Sequence, residues 1–107
     1  MATTFDANYL KSYTNDTWTA LVTSLAGTSM VVRHYMMCNT GESATEVSMR
    51  IVDNGATELA ILVNAYSLET GKPLNCTDAF ILLKDGDVLQ VKAAAAGVHF
   101  SAWGGYE

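Results

Sequence analysis

From Thr28 onward the chain is a succession of short runs rich in Val, Ile, Thr and aromatic residues, broken by Gly, Asn and Asp clusters at intervals of roughly 8 to 12 residues. That punctuation is the mark of a β-sandwich or barrel. Residues 29–38 (SMVVRHYMMC) form one run, closed by Asn39-Thr40-Gly41-Glu42-Ser43. In Thr45–Val52, Val47, Met49 and Ile51 alternate with Ser48, Arg50 and Val52, the period of two that a half-buried strand requires. Asp53-Asn54-Gly55 then predicts a chain reversal, because Asn and Gly tolerate positive φ at little cost. Residues 57–66 (TELAILVNAY) are nearly continuous apolar, which predicts a strand buried on both faces, a short helix being the alternative.

Residues 67–77 carry Gly71, Asn75 and the single proline, Pro73, and read as a longer connection that crosses between sheets. Residues 78–83 and Val88–Ala93, joined by Lys84-Asp85-Gly86-Asp87, read as a hairpin. Residues 93–96 are a strand end and loop, and residues 98–103 a final strand at a sheet edge. Toward the N-terminus, residues 6–13 suit one or two amphipathic turns, and residues 18–25 suit a helix or a strand. The expected organisation is all-β: an N-terminal arm over 1–17 leading into one antiparallel sandwich over 18–107, Ig-like or jelly-roll-like, of seven or eight strands.

At 107 residues there is room for one core and no second lobe. Half the residues are apolar and 16% are charged, the composition of a chain that folds. Eleven acidic against six scattered basic residues give a net charge of −5, the wrong sign for tracking a phosphate backbone, so no nucleic-acid partner is expected. The opening Met-Ala-Thr-Thr-Phe-Asp has neither a basic nor an apolar leader region, and no run approaches the roughly 18 apolar residues of a membrane span. A cytosolic product with no membrane partner is expected, and with it free thiols at Cys38 and Cys76.

The residues that carry chemistry elsewhere do not converge in this sequence. His34 and Cys38 share a strand face but stand about 13 Å apart at about 3.3 Å per residue, too far to share one zinc comfortably, and His99 has no spacing that joins them. Asp85-Gly86-Asp87 lacks the twelve-residue calcium pattern and reads as a turn, and no glycine-rich phosphate loop exists. The sequons at Asn15 and Asn75 read as accidental in a chain without a leader. No catalytic residue, metal site or cofactor is assigned, and the chain reads as a non-enzyme.

Aromatics give the more useful signal. Phe5, Tyr9, Tyr13 and Trp18 crowd one end, and Trp103 and Tyr106, beside Gly104-Gly105, crowd the other. These rings either complete the core or dock onto another chain as interface anchors.

Four stretches in order, residues 21–41 (LVTSLAGTSMVVRHYMMCNTG), 47–52 (VSMRIV), 83–90 (LKDGDVLQ) and 97–104 (GVHFSAWG), resemble the small β-sandwich virion structural proteins of tailed bacteriophages. The resemblance covers about the last four-fifths of the chain. It departs from the family where Leu25, and not Pro, precedes Ala26-Gly27, and residues 5–17 have no counterpart. What it implies is a capsid decoration (cement) protein, made in the bacterial cytoplasm and located in the virion, a homo-oligomer whose partners are the major capsid protein or other virion proteins. A neck or tail adaptor, or fibre-attachment module, is the alternative within that class. A carbohydrate-binding host-surface module, with Trp18, Trp103 and Tyr106 as its platform, is the alternative from another.

Overall fold

The computed structural model describes the backbone of residues 4–11, 16–24, 27, 29–77 and 79–106, with side chains from residue 16 to 105 among these. Among the described residues nine strands follow in chain order: β1 (Thr4–Lys11), β2 (Thr19–Thr23), β3 (Met30–Asn39), β4 (Thr45–Val52), β5 (Glu58–Leu68), β6 (Pro73–Cys76), β7 (Ile81–Leu83), β8 (Val88–Ala93) and β9 (Val98–Tyr106). One sheet runs β1-β9-β3-β6, with β7 also on β3, and the other runs β2-β8-β4-β5, every pairing antiparallel. The fold is an all-β sandwich.

β6 and β7 are successive pieces of one interrupted strand. Pro73 to Cys76 lie opposite Cys38 to Tyr35, and Ile81 to Leu83 continue opposite Val32 to Met30. Counted so, eight strands alternate between the sheets at every link except the β4–β5 hairpin. That interleaving is the double Greek key of a jelly roll, and it differs from the ABED/CFG order of an immunoglobulin domain.

Period-two patterning builds the core in β4 and β9, where it was read from sequence, and in β8 as well. Val47 and Met49 of β4, Leu89, Val91 and Ala93 of β8, and Val98, Phe100 and Ala102 of β9 are buried, and they meet Met30, Val32 and Met37 of β3 in one apolar cluster. Several expectations are corrected. Residues 78–83 and β8 are not a hairpin: β7 pairs β3 while β8 pairs β2 and β4, so Lys84–Asp87 carries the chain from one sheet to the other. The connection over residues 67–77 does cross between sheets, but contains β6. The last strand is interior, flanked by β1 and β3. Within the span 18–25, Thr19–Thr23 form strand β2, and residues 6–11, read as part of one or two amphipathic turns, belong instead to β1, an edge strand along β9.

The largest correction concerns β5. It is an edge strand whose residues are nearly all exposed, not one buried on both faces. Eleven residues of β5 face eight of β4, and the register slips three times, between Val47 and Met49, Met49 and Arg50, and Ile51 and Val52. Each slip is a bulge that leaves an extra β5 residue unpaired and turns the strand. Ala65, with φ of 51°, marks one, and its N–H donates to Ser48 Oγ at 2.9 Å.

At one end of the sandwich three inter-sheet crossings meet at Asn39, which is 1% exposed. Its Nδ2 donates to the carbonyls of Ser43 and Leu68, both at 2.9 Å, and its Oδ1 accepts the Gly41 N–H at 2.9 Å. The Asn39 carbonyl accepts from Gly71 N–H, and Thr40 binds the Gly97 carbonyl through both its N–H and its hydroxyl. The turns after β3, β5 and β8 are thereby fastened together.

Three substitutions test this frame. Asn39→Ala leaves two carbonyls and an amide without their partner and is expected to cost about 3 kcal/mol or more in urea unfolding, at about 1–3 kcal/mol per orphaned group. A Cβ on Gly104 would strike the Val31 carbonyl and stand 2.9 Å from Val32 Cα, so Gly104→Ala is expected to cost at least about 2 kcal/mol by the same measurement. Gly71→Ala, at φ of +76° but in open space, should lose only about 1–2 kcal/mol.

Candidate functional site

Trp18, just before β2, lies on the outer face of the β2-β8-β4-β5 sheet. The alternation that buries Met49 on β4 and Leu89, Val91 and Ala93 on β8 turns Arg50, Gln90 and Lys92 outward. Arg50 Cζ lies 4.2 Å and Lys92 Nζ 4.9 Å from the Trp18 ring centroid, so two cations occupy the indole. Arg50 Nε also donates to Gln90 Oε1 at 2.8 Å, and its Nη1 stands 3.5 Å from Glu58 Oε1, a long surface pair that contributes little.

Trp103 lies on the opposite outer face, between the buried Ala102 and Gly104 of β9, and is 41% exposed. Its Nε1 donates to His34 Nδ1 of β3 at 2.7 Å, and His34 Nε2 lies 2.7 Å from Asn75 Oδ1 of β6. The two rings meet edge to face, centroids 5.8 Å apart. The fold therefore does not unite Trp18 and Trp103 into one platform. Phe5 and Tyr9 fall on β1, and Tyr106 sits on β9 opposite Thr4 and Met30, while their side chains, and all of Tyr13, lie outside the described residues.

The surface that sequence reasoning missed is β5. Leu59 is 54% exposed, Ile61 45%, Leu62 39% and Tyr66 45%, with no charged residue from Leu59 to Leu68. A continuous apolar run looks the same in sequence whether other strands cover it or not. The only signal was its length against the eight-residue run before it, which forces extra residues out of register. At its C-terminal end an open groove is lined by Tyr66, Ser67, Leu68, Glu69, Lys72 and Pro73.

Among the described residues no three His, Cys, Asp or Glu side chains come together as metal ligands. The Asp85 carboxylate accepts Gly27 N–H at 2.9 Å and that of Asp87 accepts Lys84 N–H at 3.1 Å, so both cap backbone at the crossing turn. Cys38 and Cys76 are free thiols. Cys38 faces His99 and Pro73, whereas Cys76 faces Tyr35, three residues along β3, which separates the two Cα atoms by about 10 Å, beyond the roughly 7 Å limit of a disulfide. Burial lifts the Tyr35 hydroxyl above its ordinary 10.0, and the charge and hydrogen bond of Cys76 add to the rise.

No family model, curated protein or solved structure matches the chain.

Because the folded state holds Tyr35 protonated, its contribution to stability is fully present below pH 10.0 and is lost as pH climbs through the raised folded value. Tyr35→Phe removes that contribution. Urea midpoints followed from pH 9 to pH 11 should therefore fall more steeply in the wild type than in the variant.

Proposed function

We propose that this chain is a non-enzymatic virion structural protein of a tailed phage, a capsid decoration protein that binds the outside of the assembled head and strengthens contacts between major capsid proteins. The observation that carries this reading is β5, an edge strand that presents Leu59, Ile61, Leu62 and Tyr66 outward over an uncharged stretch. Exposed apolar surface of this kind is the ordinary sign of a protein contact. The resemblance of four stretches of sequence to small phage sandwich proteins supports the same reading. Jelly rolls build capsids and lectins alike, so the fold adds support of a general kind only.

The mechanism is mass action. A subunit that binds only the expanded shell lowers the free energy of that state with each occupied site. Occupation of local symmetry axes would make the bound protein a homo-oligomer.

Titration of the purified chain against expanded, undecorated heads should show saturable binding at hundreds of copies per particle. An absence of saturable binding sinks the proposal, and roughly a dozen copies per particle would move the protein to the neck or tail. Leu59→Lys and Leu62→Lys, at exposed positions, should leave the fold intact by circular dichroism and weaken binding by about tenfold or more. Exposure of Trp103 favours one other reading, a sugar-binding surface. Saturable quenching of its fluorescence by a host-surface glycan would support that reading over the first.

A further inference from the structure

We infer that His34 is a proton-operated latch on the Trp103 ring. An indole N–H only donates, so Trp103 Nε1, 2.7 Å from His34 Nδ1, requires that nitrogen to be an unprotonated acceptor. The single ring proton then sits on Nε2 and is donated to Asn75 Oδ1, also at 2.7 Å. A directional chain results, Trp103 to His34 to Asn75, crossing β9, β3 and β6 on the outer face of that sheet.

A second proton on the ring sets donor against donor. The imidazolium keeps its bond to Asn75 and loses the one from Trp103, whose N–H must turn to water or another acceptor. The ionisable groups on the strands that flank His34 are Arg33, Tyr35 and Cys38 on β3, His99 and Tyr106 on β9 and Cys76 on β6. Arg33 stacks on Phe80, Cys38 faces His99, and Cys76 faces Tyr35. None of these three strands carries a carboxylate that would hold the imidazolium in place. Acidification therefore frees a half-exposed indole that neutral pH keeps fixed, a change independent of what the β5 edge binds.

The test is a pH series of nitrogen-15 spectra on the intact chain. His34 should show the Nε2–H tautomer near neutrality, and the indole N–H resonance of Trp103 should move with the same midpoint as the His34 ring. The indole of Trp18, between Arg50 and Lys92, should not follow it. His34→Gln, which retains an acceptor but does not titrate, should abolish the Trp103 response, and His99→Gln should preserve it. If His34→Gln fails to fold, the wild-type tautomer and the coincidence of midpoints decide alone. An Nδ1–H tautomer, or a Trp103 resonance that stays still while His34 takes up its proton, overturns the inference.

Discussion

One buried amide organises the sandwich. The chain changes sheet at nearly every link, so its stability rests on turns that must hold two sheets at a fixed separation as well as reverse direction. The Asn39 side chain does this by reaching from β3 in one sheet to the Leu68 carbonyl of β5 in the other, while also closing its own turn through Ser43 and Gly41. Its bond to Leu68 is buried and those to Ser43 and Gly41 are partly so, where a missing partner is costly and a complete set is specific. The backbone bonds of Gly71 and Gly97 to the same corner follow from that placement. At the far end, the Asp87 carbonyl accepts the N–H of the buried Ser24 and the Asp85 carboxylate accepts that of Gly27, which ties the crossing turn to the segment after β2.

β5 resolves a conflict between display and safety. An uncharged apolar edge strand is a template for uncontrolled pairing, and proteins ordinarily blunt such edges with lysine, proline or bulges. Between Leu59 and Leu68 there is neither lysine nor proline, and the three register slips against β4 take their place. Bulges interrupt the outward row of backbone donors and acceptors while leaving the side chains in view. The strand can then offer Leu59, Ile61, Leu62 and Tyr66 to a shaped partner without offering a regular ladder to any passing strand. The two outer sheet faces differ again: Trp18 is occupied by charges, and Trp103 by a neutral hydrogen-bond chain.

What sequence conveyed well was local. β4 appears at the limits read from its period-two alternation and β8 at those read from the Asp-Gly turn before it, while β3 is displaced by a single residue. Asp53-Asn54-Gly55 and the Asp-Gly step at 85–86 do mark turns. Which strands the second of these joins was beyond reach, since the same turn chemistry serves a hairpin and a crossing between sheets. The exposure of β5 was hidden for a related reason: apolar character records affinity for a partner and not whether that partner lies within the chain. The contact between His34 and Trp103 spans 69 residues and depends on the β3 bulge after Val32, which no local signal announces. Trp18 and Trp103 were both singled out, yet only the topology reveals that they stand back to back.

The pairing of β1 with β9 has a consequence in time. Among the described residues β1 pairs with no other strand, and β3 needs the same β9 on one side, so the sheet that contains them is assembled around a strand translated more than ninety residues after β1 begins. At the usual 5–20 residues per second, β1 waits roughly 5 to 20 s on the ribosome with its hydrogen-bonding edges open. The other sheet, whose strands are complete once β8 has been made, is free to form first. Closure of the sandwich thus waits on β9, and a nascent chain stalled before β9 would hold an unfinished sheet against a finished one.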